Sequence, residues 1–447
     1  MEIAAKANSA TDPNNMFEQL LAEQNKHWRG QKPEAGFERE CLNDLMSYAA
    51  TKHIIALLGV RRCGKSTVLK QIINRLMDQE KVYPGNILFL NLESPALESY
   101  KNDPANLKRL FDEYKAAAKP KKGRVFIFLD EAQFFPKWQV FVKDLYERGG
   151  VKFFITGSNS RLLGAQMATL LSGRQIVKKI HPFNFQEIAA IKGIETKEEL
   201  AIAENGPALI GLCDEYLKMG GFPEIVLEQN DALKRELLAN YYRSILYQDI
   251  VPRFEIKKTK EVESLLLYLF SNIGQGYSYN SLGKFSQIQG KTAKEYIGFF
   301  EESFLLSEIS NYRYLLKKQE NYPKKVYAVD NGFIETASFA FSENYGCLLE
   351  NAVFAKFAAA DKKLFYYKNS FECDFVVKGK TKIAAVVQAT KNIQQTNEKR
   401  EIKGVLEAMK IFGLNEGTVI TREQEDERKI DEKIVRVVPL YKWLLAN

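Results

Sequence analysis

Up to about Ile180 the chain alternates short apolar runs with segments whose apolar positions recur every three or four residues. The runs Ile54 to Leu58 and Arg124 to Glu131, the second closing in two acids, lack a polar alternate face, and further strands are expected at Asn86 to Leu92, Phe153 to Ser158 and Gln175 to Ile180. That pattern belongs to strands covered on both sides in a parallel sheet. Between them, Val68, Leu69, Ile72, Ile73 and Leu76 fall on one helical stripe. A lysine-rich segment ending near Lys122, and Trp138 to Arg148, read the same way, and helices are expected earlier at Met16 to Trp28 and Phe37 to Ala50. The fold class is α/β, a parallel sheet sandwiched by helices.

From Asn184 to about Val262 the pattern is helical, with segments at Glu187 to Ile191, Leu212 to Met219 and Leu233 to Leu246. Gly220-Gly221-Phe222-Pro223 interrupts it, since paired glycines and a proline cannot continue a helix. Leu265 to Ile273, Ser281 to Phe285, Thr292 to Phe304 and an apolar strand from Leu305 have the order of a winged helix-turn-helix, whose second helix could enter a major groove of double-stranded DNA. Lys291, Lys294, Tyr296, Arg313, Lys317, Lys318, Lys324 and Lys325 are expected on its surface as phosphate contacts; the plain alternative is a packing module between domains with ordinary surface lysines. Beyond Pro323 come strands around Phe371 to Val377 and Ala384 to Thr390, a solvated helix over Asn392 to Glu401, an apolar segment Val405 to Phe412 and a strand at Thr418 to Ile420. The expected divisions are a polar, helical extension (1–36), an α/β core (37–183), a helical region (184–262), a winged-helix-like module (263–322) and a C-terminal α/β domain (323–447).

The first apolar run is followed directly by Gly59-Val60-Arg61-Arg62-Cys63-Gly64-Lys65-Ser66-Thr67, a complete phosphate loop. Glycines at Gly59 and Gly64 let successive amides point into one concave anion nest, which the start of the next helix extends. Lys65 can reach the β and γ oxygens of a nucleotide, and the Ser66 hydroxyl can occupy one position on Mg²⁺. The run ending in Asp130 and Glu131 supplies what such a loop requires: Asp130 to hold Mg²⁺ through its water shell and Glu131 to orient and deprotonate the attacking water. A third run ends in Ser158-Asn159-Ser160, where Ser158 or Asn159 could hydrogen-bond the γ-phosphate or the water; the alternative is a helix N-cap for the segment from Arg161.

Composition adds bounds. The chain has 447 residues, 45% hydrophobic and 27% charged, which suits a globular protein of more than one domain. Five scattered cysteines without C-x-x-C spacing read as reduced thiols, and alkylation of Cys63 inside the loop is expected to block nucleotide. No apolar stretch reaches the length of a membrane span and Met1 to Asn15 lacks a signal peptide's apolar region, so a cytoplasmic location is expected. A net charge of +8 permits nucleic-acid contact.

The loop, Phe128 to Gln133 (FLDEAQ), Ile155 to Leu163 (ITGSNSRLL) and Ser172 to Arg174 together resemble the ATPase domain of a large prokaryotic AAA-type family. Its members join that ATPase to a C-terminal domain resembling restriction-endonuclease-like nucleases. Gly220 to Glu224, Tyr247 to Ile250, Tyr327 to Asp330 and Leu348 to Asn351 also match the family's pattern, from about Arg39 onward. The resemblance implies ATP and Mg²⁺ as cofactors and a small helical lid in the 184–262 region. It also makes Arg174 a candidate for sensing or neutralising the γ-phosphate, with a surface ion pair as its plain alternative. If Arg174 acts in trans, a homo-oligomer follows.

A restriction-type nuclease places an acid on a helix, an Asp at a strand end, and an acid or Gln one residue from a Lys on the next strand, the carboxylates binding Mg²⁺. Glu350, Asp374 and Gln388 occur in that order, but Thr390 stands where the pattern wants Lys. Lys391 cannot substitute along a continuing strand, because a one-residue shift turns a side chain to the other face. A degenerate pocket is expected. The leading functional reading is an ATPase that couples hydrolysis to domain movement, with double-stranded DNA as a candidate partner. The rivals are a nucleotide-gated switch with little turnover and an ATP-dependent nuclease.

Overall fold

A computed structural model describes residues 13–160, 171, 173–313, 315, 319–320, 322–337 and 345–446; Arg161 to Leu163, Ser172, Lys317 and Lys318 lie outside the described residues. The chain divides into two compact units, one running to Ile180 except for Val60–Cys63, the other comprising Val60–Cys63 and everything from His181.

The first unit is built on five strands, β1 (Ile54–Leu58), β2 (Ile87–Asn91), β3 (Val125–Asp130), β4 (Val151–Gly157) and β5 (Gln175–Lys179), in the order β2-β3-β4-β1-β5. Every pairing is parallel. The unbroken apolar runs have the reason the sequence suggested: β1 is buried at all five positions, and Phe128 of β3 stacks on Phe154 of β4 with centroids 5.1 Å apart. Strand β4 lies between β1 and β3, so Thr156, opposite Leu57, stands between the loop after β1 and the acids after β3.

The N-terminal extension belongs to this unit. Strand β2 is a sheet edge, whose free backbone groups need partners. They find them in side chains that follow the helix Pro13–Gln24: Asn25 accepts the Phe89 N–H at 2.7 Å and donates to the Phe89 carbonyl at 2.9 Å, while Trp28 Nε1 donates to the Ile87 carbonyl at 2.8 Å.

Lys152 is completely buried in β4, its ammonium donating to the His53 carbonyl at 2.6 Å and to Thr51 Oγ1 at 3.1 Å. Burial, helped by the charge of Arg124, lowers its pKa to about 8 from an ordinary 10.5. Between these values the unfolded chain holds the proton that the folded chain releases, so this residue's penalty on stability is full below pH 8 and fades as pH rises toward 10.5. The stability of Lys152→Met relative to wild type is therefore expected to fall as pH rises through that window. Urea midpoints at several pH values check this; a difference that stays constant with pH would contradict it.

The second unit opens with a run of helices. Asn184 caps the helix Phe185–Ile191 in a reciprocal box with Glu187. Gly220 and Gly221 are more than a helix break. Gly221 N–H donates to Asp330 Oδ2 at 2.7 Å, and a Cβ on Gly220 would fall 1.7 Å from Asp330 Oδ1. Burial pushes the Asp330 carboxyl up to about 6 despite the amides of Gly221 and Gly332.

Next come the helices Thr259–Ser271, Tyr279–Phe285 and Gly290–Glu302, then an antiparallel hairpin of β6 (Leu306–Ser310) and β7 (Lys324–Ala328). The division expected at 322/323 thus runs between two paired strands. Of the expected surface cations, Lys291 and Lys294 are exposed. Tyr296, Lys324 and Lys325 are buried, which overturns their expected role as phosphate contacts.

The C-terminal sheet has strands β8 (Lys363–Lys368), β9 (Glu372–Lys378), β10 (Ile383–Ala389), β11 (Glu416–Thr421), β12 (Asp426–Ile430) and β13 (Lys433–Pro439), in the order β12-β13-β11-β10-β9-β8. The helix Glu398–Phe412 packs its Val405, Ala408 and Met409 on Val376, Val386, Val419 and Val437. Its first turn covers the end of the segment expected to be a solvated helix, where Glu401 is in fact 1% exposed.

Candidate nucleotide site and a carboxylate cluster

The loop after β1 turns through two left-handed residues, Arg62 at φ 66° and Gly64 at φ 99°, before the helix Lys65–Asp78 begins. Such turns aim consecutive N–H groups to one side, the geometry of an anion nest at a helix start. Lys65 is 3% exposed; its ammonium lies 3.1 Å from the Gly59 carbonyl oxygen and 3.3 Å from Glu131 Oε1. Ser66 and Thr67 follow in the first turn.

Asp130 is buried at the end of β3, and burial raises its pKa, opposed by hydrogen bonds from the Thr156 and Ser66 hydroxyls and by Lys65. The Thr156 hydroxyl donates to Asp130 Oδ1 at 2.5 Å and accepts the Glu131 N–H at 2.8 Å. Glu131 sits at φ 50°, a left-handed turn that redirects its side chain off the strand's alternation. Gln133 Nε2 donates to Glu131 Oε2 at 2.6 Å and to Ser158 Oγ at 3.0 Å. Lys65 thus pairs with Glu131 and Ser66 with Asp130, Thr156 links Asp130 to the Glu131 amide, Gln133 links Glu131 to Ser158, and Asn159 is buried next to Ser158.

Thr156 and Gln133 escaped the sequence reading. Thr156 reads as one more β-branched strand residue, and only the β1-β4-β3 order shows what it bridges. The donor set offered by Ser66 and Asp130, a hydroxyl and a carboxylate, is the hard-oxygen kind that suits Mg²⁺.

Other expected residues lie elsewhere. Val60 and Cys63 are buried, Cys63 completely, so the thiol is shielded from the alkylation expected of it. Within the second unit Arg61 Nη1 is 3.0 Å from Asp249 Oδ1, and Arg62 Nη1 is 2.8 Å from Glu224 Oε2, with its guanidinium over the Tyr241 ring. Arg174 pairs with Glu147 at 3.2 Å, and its carbonyl accepts the N–H of Ile54 at the start of β1. The phosphate loop leaves the other end of that strand, about 16 Å away at roughly 3.3 Å per residue. The fold thus does not bring Arg174 to the loop of its own chain.

In the C-terminal sheet, Glu350 on the helix Tyr345–Ala359, Asp374 on β9 and Gln388 on β10 do converge. Gln388 Oε1 accepts the Asp374 N–H at 3.1 Å, and Glu350 Oε1 and Asp374 Oδ1 each lie 3.4 Å from one ammonium, that of Lys325. Burial, with Glu350 close by, pushes Asp374 up to about 8. Burial alone would lower Lys325, but Glu350, Tyr327, Asp374 and Glu372 hold it well above its ordinary range. Lys325, Glu372 and Tyr327 were missed as members of this cluster. The signal for Lys325 and Tyr327 was their spacing of two residues along one strand, which puts both on one face.

Fold and site together give a parallel five-stranded sheet with a phosphate loop after β1, the arrangement of an AAA-type nucleotide-binding domain, and comparison with known proteins agrees. A family model described as an AAA domain matches residues 51–189, and one described as a domain of unknown function (DUF8612) matches residues 211–344. The uncharacterized protein MJ1544 of Methanocaldococcus jannaschii is 32% identical over 409 residues, covering 88% of each chain, and the chain belongs to the same family. An uncharacterized protein of Haemophilus influenzae is 29% identical over 410 residues, covering 90% of this chain and 97% of its own. Among solved structures, the Aeropyrum pernix ORC1 protein in complex with DNA is similar at a TM-score of 0.32 and 14% identity, over 68% of this chain and 93% of that one. Among the described residues, no helix is long and apolar enough to cross a membrane.

Proposed function

We propose that the chain binds ATP with Mg²⁺ at Gly59 to Thr67 and hydrolyses it, coupling turnover to movement of the rest of the molecule. The observation that carries this reading is Glu131, placed 3.3 Å from the Lys65 ammonium and steadied by Gln133 on its other oxygen. A carboxylate so held is suited to orient a water and take its proton. The loop amides and Lys65 bind the phosphates, and Ser66 and Asp130 hold Mg²⁺, which when bound would offset charge on the β and γ oxygens. Ser158 or Asn159 hydrogen-bonds the γ-phosphate or the water. Arg174 enters only from a second copy of the chain, in a homo-oligomer.

The three helices and the hairpin that follow them are a winged-helix-like module, and Lys291 and Lys294 on its last helix face solvent. That supports double-stranded DNA as the partner, with hydrolysis moving this module and the nuclease-like C-terminal sheet. The test is steady-state ATP hydrolysis by the full chain with Mg²⁺ or with EDTA, with and without duplex DNA. Turnover is expected with Mg²⁺, loss in EDTA, and a rise with DNA; a DNA-independent rate would remove DNA from the reading. Wild-type turnover by Arg174→Ala would remove the trans arginine.

A further inference from the structure

Strand β7 turns Lys325 inward, where it is 2% exposed. Its ammonium lies 2.7 Å from Glu372 Oε1, 3.4 Å from Glu350 Oε1 and 3.4 Å from Asp374 Oδ1. The three carboxylates come from β9 and the helix Tyr345–Ala359, while the lysine arrives from the hairpin that precedes both. Tyr327, on the same face of β7, donates its hydroxyl to Glu350 Oε1 at 2.6 Å.

The surrounding groups complete the arrangement. Lys368 pairs with the second oxygen of Glu372 at 2.8 Å, and the Ala389 N–H donates to Asp374 Oδ2 at 3.1 Å. Gln388 turns its amide nitrogen away from Asp374 to Glu401 Oε2 at 2.9 Å, and Arg400 holds the other oxygen of Glu401 at 2.5 Å. Each carboxylate therefore already has a cation or a donor within the protein.

A divalent ion shared by Glu350 and Asp374 would sit about 2.1 Å from their oxygens as Mg²⁺, or slightly farther as a larger cation. The ammonium already occupies the space those oxygens enclose, and a second positive centre beside it in a buried pocket would be strongly repelled. Among the described residues no group of acids, histidines and cysteines is arranged to hold a metal ion. The residues present do not fit the metal that a restriction-type nuclease uses.

We infer that Lys325 is the resident cation of this pocket, standing where a nuclease of this fold would hold its metal, and that the pocket latches the β6–β7 hairpin to the C-terminal sheet. A second link runs beside it, where the Tyr312 N–H donates to the Tyr366 carbonyl of β8 at 2.7 Å. The comparison with a metal site rests on the nuclease-like reading of the sheet; the latch does not, and neither depends on ATP hydrolysis.

The experiment uses the nucleotide-free full chain as wild type, Asp374→Asn and Lys325→Met. Mn²⁺ binding is followed by electron paramagnetic resonance and by the shift in melting temperature that Mn²⁺ causes. Wild type and Asp374→Asn are expected to give the same Mn²⁺ titration, because no metal enters the pocket of either. Lys325→Met leaves Glu350, Glu372 and Asp374 without their shared cation, so it is expected to melt lower than wild type and to be raised again by millimolar Mn²⁺. Mn²⁺ binding by wild type that disappears in Asp374→Asn overturns the inference, as does metal-dependent DNA nicking lost in the same variant. A folded Lys325→Met that melts as wild type does and ignores Mn²⁺ also overturns it. Should Lys325→Met fail to fold, the wild type and Asp374→Asn titrations decide alone: equal curves support Lys325 as the resident cation, and an Asp374-dependent difference refutes it.

Discussion

Lys65→Ala is expected to lose ATP binding, with affinity falling roughly a hundredfold or more, the equivalent of about 3 kcal/mol if two charge-assisted hydrogen bonds are lost. The ammonium is 3% exposed and held over the loop by the Gly59 carbonyl, so the charge is already aimed before a phosphate arrives. Its removal costs twice, because Glu131 Oε1 is left without the cation 3.3 Å away. A carboxylate no longer offset by that ammonium then faces the site and repels the triphosphate. Equilibrium titration with a fluorescent ATP analogue measures the effect, with circular dichroism to show that the variant is folded. Unchanged affinity in a folded Lys65→Ala would place the nucleotide somewhere other than the loop.

The second large effect separates holding ATP from cleaving it. Glu131→Gln is expected to bind ATP within a few-fold of wild type and to lower kcat by about 10²- to 10³-fold, the size of effect attributed to a positioned general base. Glutamine has nearly the same shape, can accept the Gln133 hydrogen bond and can occupy the same left-handed turn at φ 50°. What it lacks is the ability to take a proton from water. Single-turnover hydrolysis beside an affinity measurement reads the two apart. If the wild type itself does not turn over under any condition while both proteins bind ATP equally, the chain is a nucleotide-gated switch instead, and its Asp130-Thr156-Glu131 contacts serve to hold one conformation.

The candidate nucleotide site was legible in the chain because its parts are local. A phosphate loop is a run of backbone geometry set by neighbouring residues, and Asp130 and Glu131 close an apolar run whose burial on both faces shows in its composition. The links between these parts were not legible. Thr156 touches both Asp130 and the Glu131 amide only because β4 is laid between β1 and β3, and nothing in the order of the strands along the chain states that placement. Arg174 shows the converse: its motif suggested the phosphates, but the parallel pairing of β5 with β1 sets it at the start of β1 and not at the loop.

The carboxylate cluster divides along the same line. Glu350, Asp374 and Gln388 were found from their order, with Thr390 standing where the pattern wants a lysine. The cation came from a strand that precedes the whole motif. Lys325 was read as surface charge because lysine is rarely buried without a partner, and its partners Glu350 and Asp374 lie 25 and 49 residues away. Periodicity, glycine placement and the phosphate loop, all properties of neighbouring residues, determined the α/β class, the five strands of the first sheet and the position of the candidate nucleotide site from sequence alone. Tertiary structure decided which distant charges meet, because an ion pair in a buried pocket depends on how strands and helices from separate stretches of chain are packed, and no local pattern encodes that distance.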